Sequence, residues 1–155
     1  MEVIPLGTTA IQHQGLLDDQ AFYNFLKETL ESYGYAVTET SYIQFAGANY
    51  VIKWDAKKVI DDYMAYRIAI DLNYRGITET TAMKEGKPVK AKTGTVEVKL
   101  TGDILLDYLN KWTTGVSKLI RPVYDKMNAE VTKQRKEAFE NEIQSIKSAL
   151  QGHFA

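Results

Sequence analysis

Hydrophobic and polar positions alternate most regularly in "DDYMAYRIAIDLNYRG", residues 61–76. Met64, Tyr66, Ile68, Ile70, Leu72 and Tyr74 fall on one face, while Arg67, Asp71, Asn73 and Arg75 fall on the other. A period of two over this length predicts a strand with one buried face. Burying six such side chains contributes about 10 kcal/mol gross, before ordering costs are subtracted.

Other segments follow the same two periods. "DDQAFYNFLKETLESYGY" spaces Phe22, Leu26, Leu30 and Tyr33 as one helical stripe, with Asp18 or Asp19 as its cap and Gly34 as its stop. Residues 3–12 read as a short first strand, limited by Pro5 and Gly7. From Val37 to Phe45 the period is two, with Val37, Glu39, Ser41, Ile43 and Phe45 on one side. "AGAN" reads as a turn and "YVIKW" as a strand, after which "DAKKVID" connects to the stretch at 61–76. Gly76 interrupts or bulges the strand there, and "ITETTAM" continues it. "KEGKPVK" is a hairpin signal, and "GTVEVKLTG" returns as a strand that continues to about Leu106 before a helix or turn.

From Thr114 the pattern is helical. Val116, Leu119, Ile120, Val123, Tyr124, Met127 and Val131 form a stripe, and Pro122 starts or kinks a helix within it. In the last segment Phe139, Ile143, Ile146 and Leu150 form a narrow seam among charges, with Gly152 as its stop. Such a seam packs on the chain's own sheet or on another subunit. The fold class is therefore α+β: an N-terminal helix, an antiparallel meander of four to six strands, and one kinked or two consecutive C-terminal helices on one face. The terminal stripes need burial, and the oily face of the sheet is the partner they are expected to share.

The chain of 155 residues reads as a single domain, with residues 128–153 as a terminal helix for packing or assembly. The absence of cysteine excludes disulfides, thiolate metal sites and a cysteine nucleophile. A net charge of −1 gives no footprint of a dedicated nucleic-acid binder. "MEVIPLGTTAIQHQG" lacks a basic start and a long apolar run, so no secretion signal is expected and the location is cytoplasmic or within a virus particle. No run is long enough to predict a membrane span.

Chemistry-bearing motifs are scarce. His13 and His153 lie near the ends of the chain without metal-ligand spacing, so neither a metal nor a cofactor is expected. Asp18–Asp19 is explained by helix capping, and Asp61–Asp62 by a turn. Neither phosphate-cradling glycine loop is present. Lys84, Lys87, Lys90 and Lys92 form a basic patch on the hairpin, which either guards a sheet edge or touches phosphates beside Arg67, Arg75 and Lys99. Ten tyrosines against two tryptophans favour cross-strand packing or an interface.

The segments "FYNFLKETLESYGYAVTETSY", "YVIKWDAKKVIDDYMAYRIAIDL", "KTGTVEVKLTGDILLDYLNKW" and "LIRPVYDKM" occur in that order from Phe22 to Met127. On them the chain resembles a family of small uncharacterised proteins from archaeal and related viral or metagenomic sequences. It departs from that family in its glycine-, alanine- and threonine-rich loops. The resemblance implies the same layered layout and brings no functional residues with it.

The functional expectation is a non-enzymatic protein–protein interaction or assembly subunit, such as one belonging to a viral or archaeal multi-subunit particle. Its candidate interaction surface is Arg67, Asp71, Asn73 and Arg75 on the sheet, with Phe139, Ile143, Ile146 and Leu150 on the last helix. Protein partners or self-association are expected. The alternatives are a small apolar ligand held between sheet and helices, lined by Met64, Tyr66, Ile68, Tyr74, Trp54 and Trp112, and nucleic-acid contact through the lysine-bearing hairpin at 84–92.

Overall fold

A computed structural model describes residues 1–154. Among them the chain forms strands β1 (Glu2–Leu17), β2 (Ala36–Phe45), β3 (Asn49–Val59), β4 (Met64–Lys84) and β5 (Lys87–Leu106). Helix α1 (Asp19–Ser32) follows β1, and α2 (Gly115–Met127) and α3 (Ala129–His153) follow β5. The five strands make one antiparallel sheet in the order β1-β5-β4-β3-β2. The predicted α+β class, meander and two consecutive C-terminal helices are all present. Helix α1 carries the chain from one edge strand to the other, so β1 ends beside the last strand and β2 to β5 run as neighbours.

Helix α1 forms where the sequence signals it. The Asp18 carboxylate accepts from the Ala21 amide at 3.0 Å, and Phe22, Leu26 and Leu30 are buried. The chain leaves the helix through Gly34 at φ +93°, a left-handed conformation that glycine takes without strain. The even positions of β4, Met64 to Tyr74, are all buried as predicted, facing α1 and α3.

Several boundaries differ from the sequence reading, each for a physical reason. β1 runs through to Leu17, because an edge strand tolerates Pro5 and takes up Gly7 at a register shift. β3 continues through "DAKKV", leaving only residues 60–63 as the connection. A bulge at Thr40 reverses the parity of β2, so Tyr42 and Gln44, not Ser41, Ile43 and Phe45, share the face of Val37 and Glu39. Pro122 lies inside α2; the helices part at Asn128, and α3 runs on through Gly152 to His153.

The seam of α3 is core. Phe139, Ile143, Ile146 and Leu150 are buried against the sheet, which removes them from the candidate interaction surface. Phe139 lies flat on Tyr66, ring centroids 4.3 Å apart at 10°. It sits over Gly102, where an added Cβ would come within 2.5 Å of Ile143 Cδ1 and 3.5 Å of the Phe139 ring. Two polar ties set the position of α3 along the sheet. Lys58 Nζ donates to Glu142 Oε1 at 2.6 Å, beside Tyr35, whose hydroxyl donates to the other oxygen at 2.7 Å. Arg135 Nη1 donates to Asp61 Oδ2, also at 2.6 Å.

Truncating Phe139→Ala is expected to destabilise the fold by about 3–5 kcal/mol, since it opens a cavity in the centre of the layer. Urea unfolding checks this. A loss below about 1 kcal/mol would mean that α3 does not pack as described.

Candidate functional site

Helix α2 is amphipathic but faces the wrong way for an ordinary surface helix, which turns its apolar stripe inward. None of its residues is buried. Val116, Leu119, Ile120, Val123 and Met127 are exposed, Leu119 at 78% and Met127 at 80%, and Val131 continues the line into α3. The expectation that this stripe is covered by the sheet is therefore corrected. The sheet's oily face is already taken by α1 and α3.

Polar and aromatic contacts hold α2 in place instead. Arg121 donates from Nε to the Tyr63 hydroxyl at 3.1 Å and from Nη2 to Glu2 Oε2 at 2.9 Å. Asp125, one turn on, accepts from the same Tyr63 hydroxyl at 2.5 Å. Burial, then the Asp125 carboxylate, push the Tyr63 phenol up to about 12 against the opposing Arg121 guanidinium. The Tyr124 ring packs against Tyr63 and Trp112, with centroids 4.9 Å away in both cases. Asp107 lies beneath, almost fully buried at φ +52°. Its carboxylate accepts from the Lys111 and Trp112 amides and stands 4.0 Å from Arg121 Nη1. This turn, reached as soon as β5 ends, aims the chain into α2.

The sequence reading did not find Arg121, Asp107 or Asp125. Its usable signal was the i, i+4 pair Arg121–Asp125 on the side of the helix away from the apolar stripe. The partners Glu2 and Tyr63 lie 119 and 58 residues from Arg121 in sequence, so the spacing could not supply them.

The polar sheet face is where the sequence placed it, uncovered by any helix. Arg67 is bound to Asp103 at 2.8 Å. Asp71 lies opposite Lys53 on β3 and Lys99 on β5. Asn73 is opposite Glu97, and Arg75 is exposed near the bulge that ends the regular register. Opposite charges across the strands neutralise this face, which suits a solvated sheet.

The hairpin extends beyond β3 as a two-stranded arm, with Lys84 opposite Lys87 near its tip and Lys90 opposite Thr81. Lys92 lines one open cavity of about 460 Å³ with Lys84 and Lys90. It is opposite Glu79 and donates to Asp19 Oδ2 at 3.0 Å. Three lysines of the basic patch are thus exposed on the arm, and the fourth, Lys92, is paired with Asp19 at its base.

Asp19 and Lys92 border an open cavity of about 330 Å³ at the start of α1. Tyr23, Tyr42, Tyr50 and Tyr74 line it with Glu39 and Gln44. Three of these rings stack across the sheet, Tyr42 on Tyr50 at 5.8 Å and Tyr50 on Tyr74 at 4.4 Å. Tyr50 donates to Asp19 at 3.1 Å. Behind Tyr23, the Trp54 indole nitrogen is buried without a hydrogen-bond partner among the described residues. Of the residues expected to line an apolar ligand, Met64, Tyr66, Ile68 and Trp54 belong to the packed core, Tyr74 borders this cavity, and Trp112 packs on Tyr124 of α2.

His13 stacks on Phe154 at 4.4 Å, and His153 on Phe25 at 4.6 Å, so both histidines tie the end of α3 to its surroundings. Among the described residues no group of three His, Asp or Glu side chains is placed to hold a metal ion. Among them, too, no helix is long and apolar enough to cross a membrane. No protein-family model matches the chain. No curated protein matches it either.

Burial raises the Asp19 carboxyl, but the Lys92 ammonium, the Tyr50 hydroxyl and the Gln20 amide outweigh it and leave the group below its ordinary value. A depressed carboxylate stabilises the fold above its unfolded value of about 4, and that contribution is lost as pH falls through the folded value. Urea midpoints measured from about pH 6 downward should therefore fall more steeply for wild type than for Asp19→Asn. Parallel curves would show that the carboxylate contributes nothing.

Proposed function

We propose that the chain is a non-catalytic docking protein, an interaction subunit that attaches to a larger surface through α2. One observation carries this reading: α2 offers solvent a continuous stripe of large apolar residues, while Arg121 and Asp125 on its other side are bound to its own fold. Scattered apolar residues on a surface need no explanation, but a stripe of five on one helix marks an interaction surface. The use of the charged groups supports a non-catalytic role. Asp61 serves Arg135, Glu142 serves Lys58, and Asp107 holds the turn before α2, so each has a structural partner.

A second reading, a small-ligand site, is favoured by the tyrosine-lined cavity at the start of α1. The exposed ring of Tyr42 and the half-buried rings of Tyr23 and Tyr50, beside Glu39 and Gln44, suit a compound with a flat face and hydrogen-bonding edges.

The docking reading requires that the stripe do nothing for folding. The double variant Leu119→Ser, Val123→Ser should keep the wild-type unfolding free energy to within about 0.5 kcal/mol. Ile146→Ser, which places a hydroxyl in the α3 core, serves as the contrast and should lose several times that. A loss of more than about 1 kcal/mol in the double variant would mean that the stripe is packed, and the docking reading falls.

A further inference from the structure

The partner of α2 is constrained by charge. Residues 109–136, from the end of the β5 turn into α3, hold seven Lys and Arg against two Asp and Glu. That is +5 in a chain whose net charge is −1, which leaves −6 on the remainder. Of the four charged residues on α2, Arg121 and Asp125 are engaged with Tyr63 and Glu2. The free charges of the helix are Lys118 and Lys126; at 100° per residue Lys126 borders the apolar stripe beside Leu119, while Lys118 lies beside Asp125, nearer the anchored side. Glu130 is the one carboxylate exposed nearby in the first turn of α3.

From this, and resting on the docking role proposed above, we infer that α2 docks on an anionic lipid surface. The apolar stripe enters the boundary between headgroups and chains, Lys126 at its edge meets the headgroup charge, and Lys118 adds to the attraction from farther off. A basic helix with a strong apolar face, lying in the plane of the interface, is the physical form of such a contact.

Two other occupants fit less well. A second copy laid on α2 would join two segments of +5 each. A protein groove that wraps a helix needs access to both of its sides, but the Arg121, Tyr124 and Asp125 side is closed by Tyr63, Trp112 and Glu2. What remains open is one arc of the helix, which suits a surface rather than a cleft. The helix is already folded and anchored, so docking carries no cost of ordering it.

The test is co-sedimentation of the full chain with vesicles of phosphatidylcholine alone and of phosphatidylcholine mixed with phosphatidylserine. Binding is expected to the anionic vesicles, to weaken as salt rises, and to fall about tenfold or more in Lys118→Glu, Lys126→Glu. The Leu119→Ser, Val123→Ser variant should lose binding while its unfolding curve stays that of wild type. No binding to anionic vesicles at low salt overturns the lipid inference, and so does equal binding to both vesicle types that the lysine reversal leaves unchanged. The docking role itself would survive either result, because it stands or falls with the unfolding of the serine variant. A native mass of two chains that reverts to one in that variant would assign the stripe to a second copy and overturn the lipid partner.

Discussion

One sheet face and two competing C-terminal stripes determine this fold. The inner face of β4 and β5 offers a fixed area, and α3 takes it with Phe139 laid flat on Tyr66 over the space that Gly102 leaves. The ion pairs Lys58–Glu142 and Arg135–Asp61 fix α3 along the sheet, on either side of that ring in sequence. Helix α1 covers the other part with Phe22, Leu26 and Leu30, and the rings of Phe22, Phe154 and His153 close the seam between the two helices. What α2 covers is the pair of rings Tyr63 and Trp112, through Tyr124. Its orientation follows from that: it docks by Arg121, Tyr124 and Asp125, and its apolar stripe stays outside.

This competition also explains what the sequence could and could not reveal. Alternation from Met64 to Tyr74 is a local pattern whose meaning does not depend on distant partners, since one face of a strand in a helix-covered sheet must be buried. The Asp18 cap and the Gly34 stop are local in the same sense. The stripe of α2 is equally clear as a pattern, yet its direction depends on whether another helix has already claimed the sheet. Phe139, Ile143, Ile146 and Leu150 show the converse: a narrow seam that suits pairing with another subunit becomes core once Gly102 makes room for it. In β2 a single extra residue at Thr40 exchanged the faces of everything after it, and both faces mix polar with apolar residues, Val37 with Glu39 and Gln44, Ile43 and Phe45 with Thr38 and Ser41, so no apolar signal marked the slip.

Charge is arranged in a way that composition conceals. A net charge of −1 reads as near neutral, but the outer sheet face balances itself through Arg67–Asp103 and the alternation of Lys53, Asp71 and Lys99, while the segment around α2 is strongly basic. Self-neutralisation makes the flat sheet face a weak candidate for attracting a charged partner, despite its four polar residues. The lysine arm is basic too, but it carries Glu79 and Glu85 and presents few apolar side chains besides Met83 and Val89. Among the described residues, only around α2 do an excess of one charge and a continuous apolar stripe coincide, and it is their coincidence that gives a surface both attraction at a distance and adhesion on contact.

The polar anchor is what makes such a surface workable. A helix held to its domain by apolar packing uses its sticky side for the fold and has none to offer. Here the two tasks fall to opposite sides of one helix. The guanidinium of Arg121 reaches β1 through Glu2 and the β3–β4 connection through Tyr63, and the buried carboxylate of Asp107 holds the turn that leads in. Those contacts are directional, so they set the angle at which the stripe faces outward as well as holding it there. The same arrangement leaves α2 with the least apolar packing of the three helices. It is therefore the element whose position depends most on ionic contacts, and the one whose surroundings a charged partner would alter first.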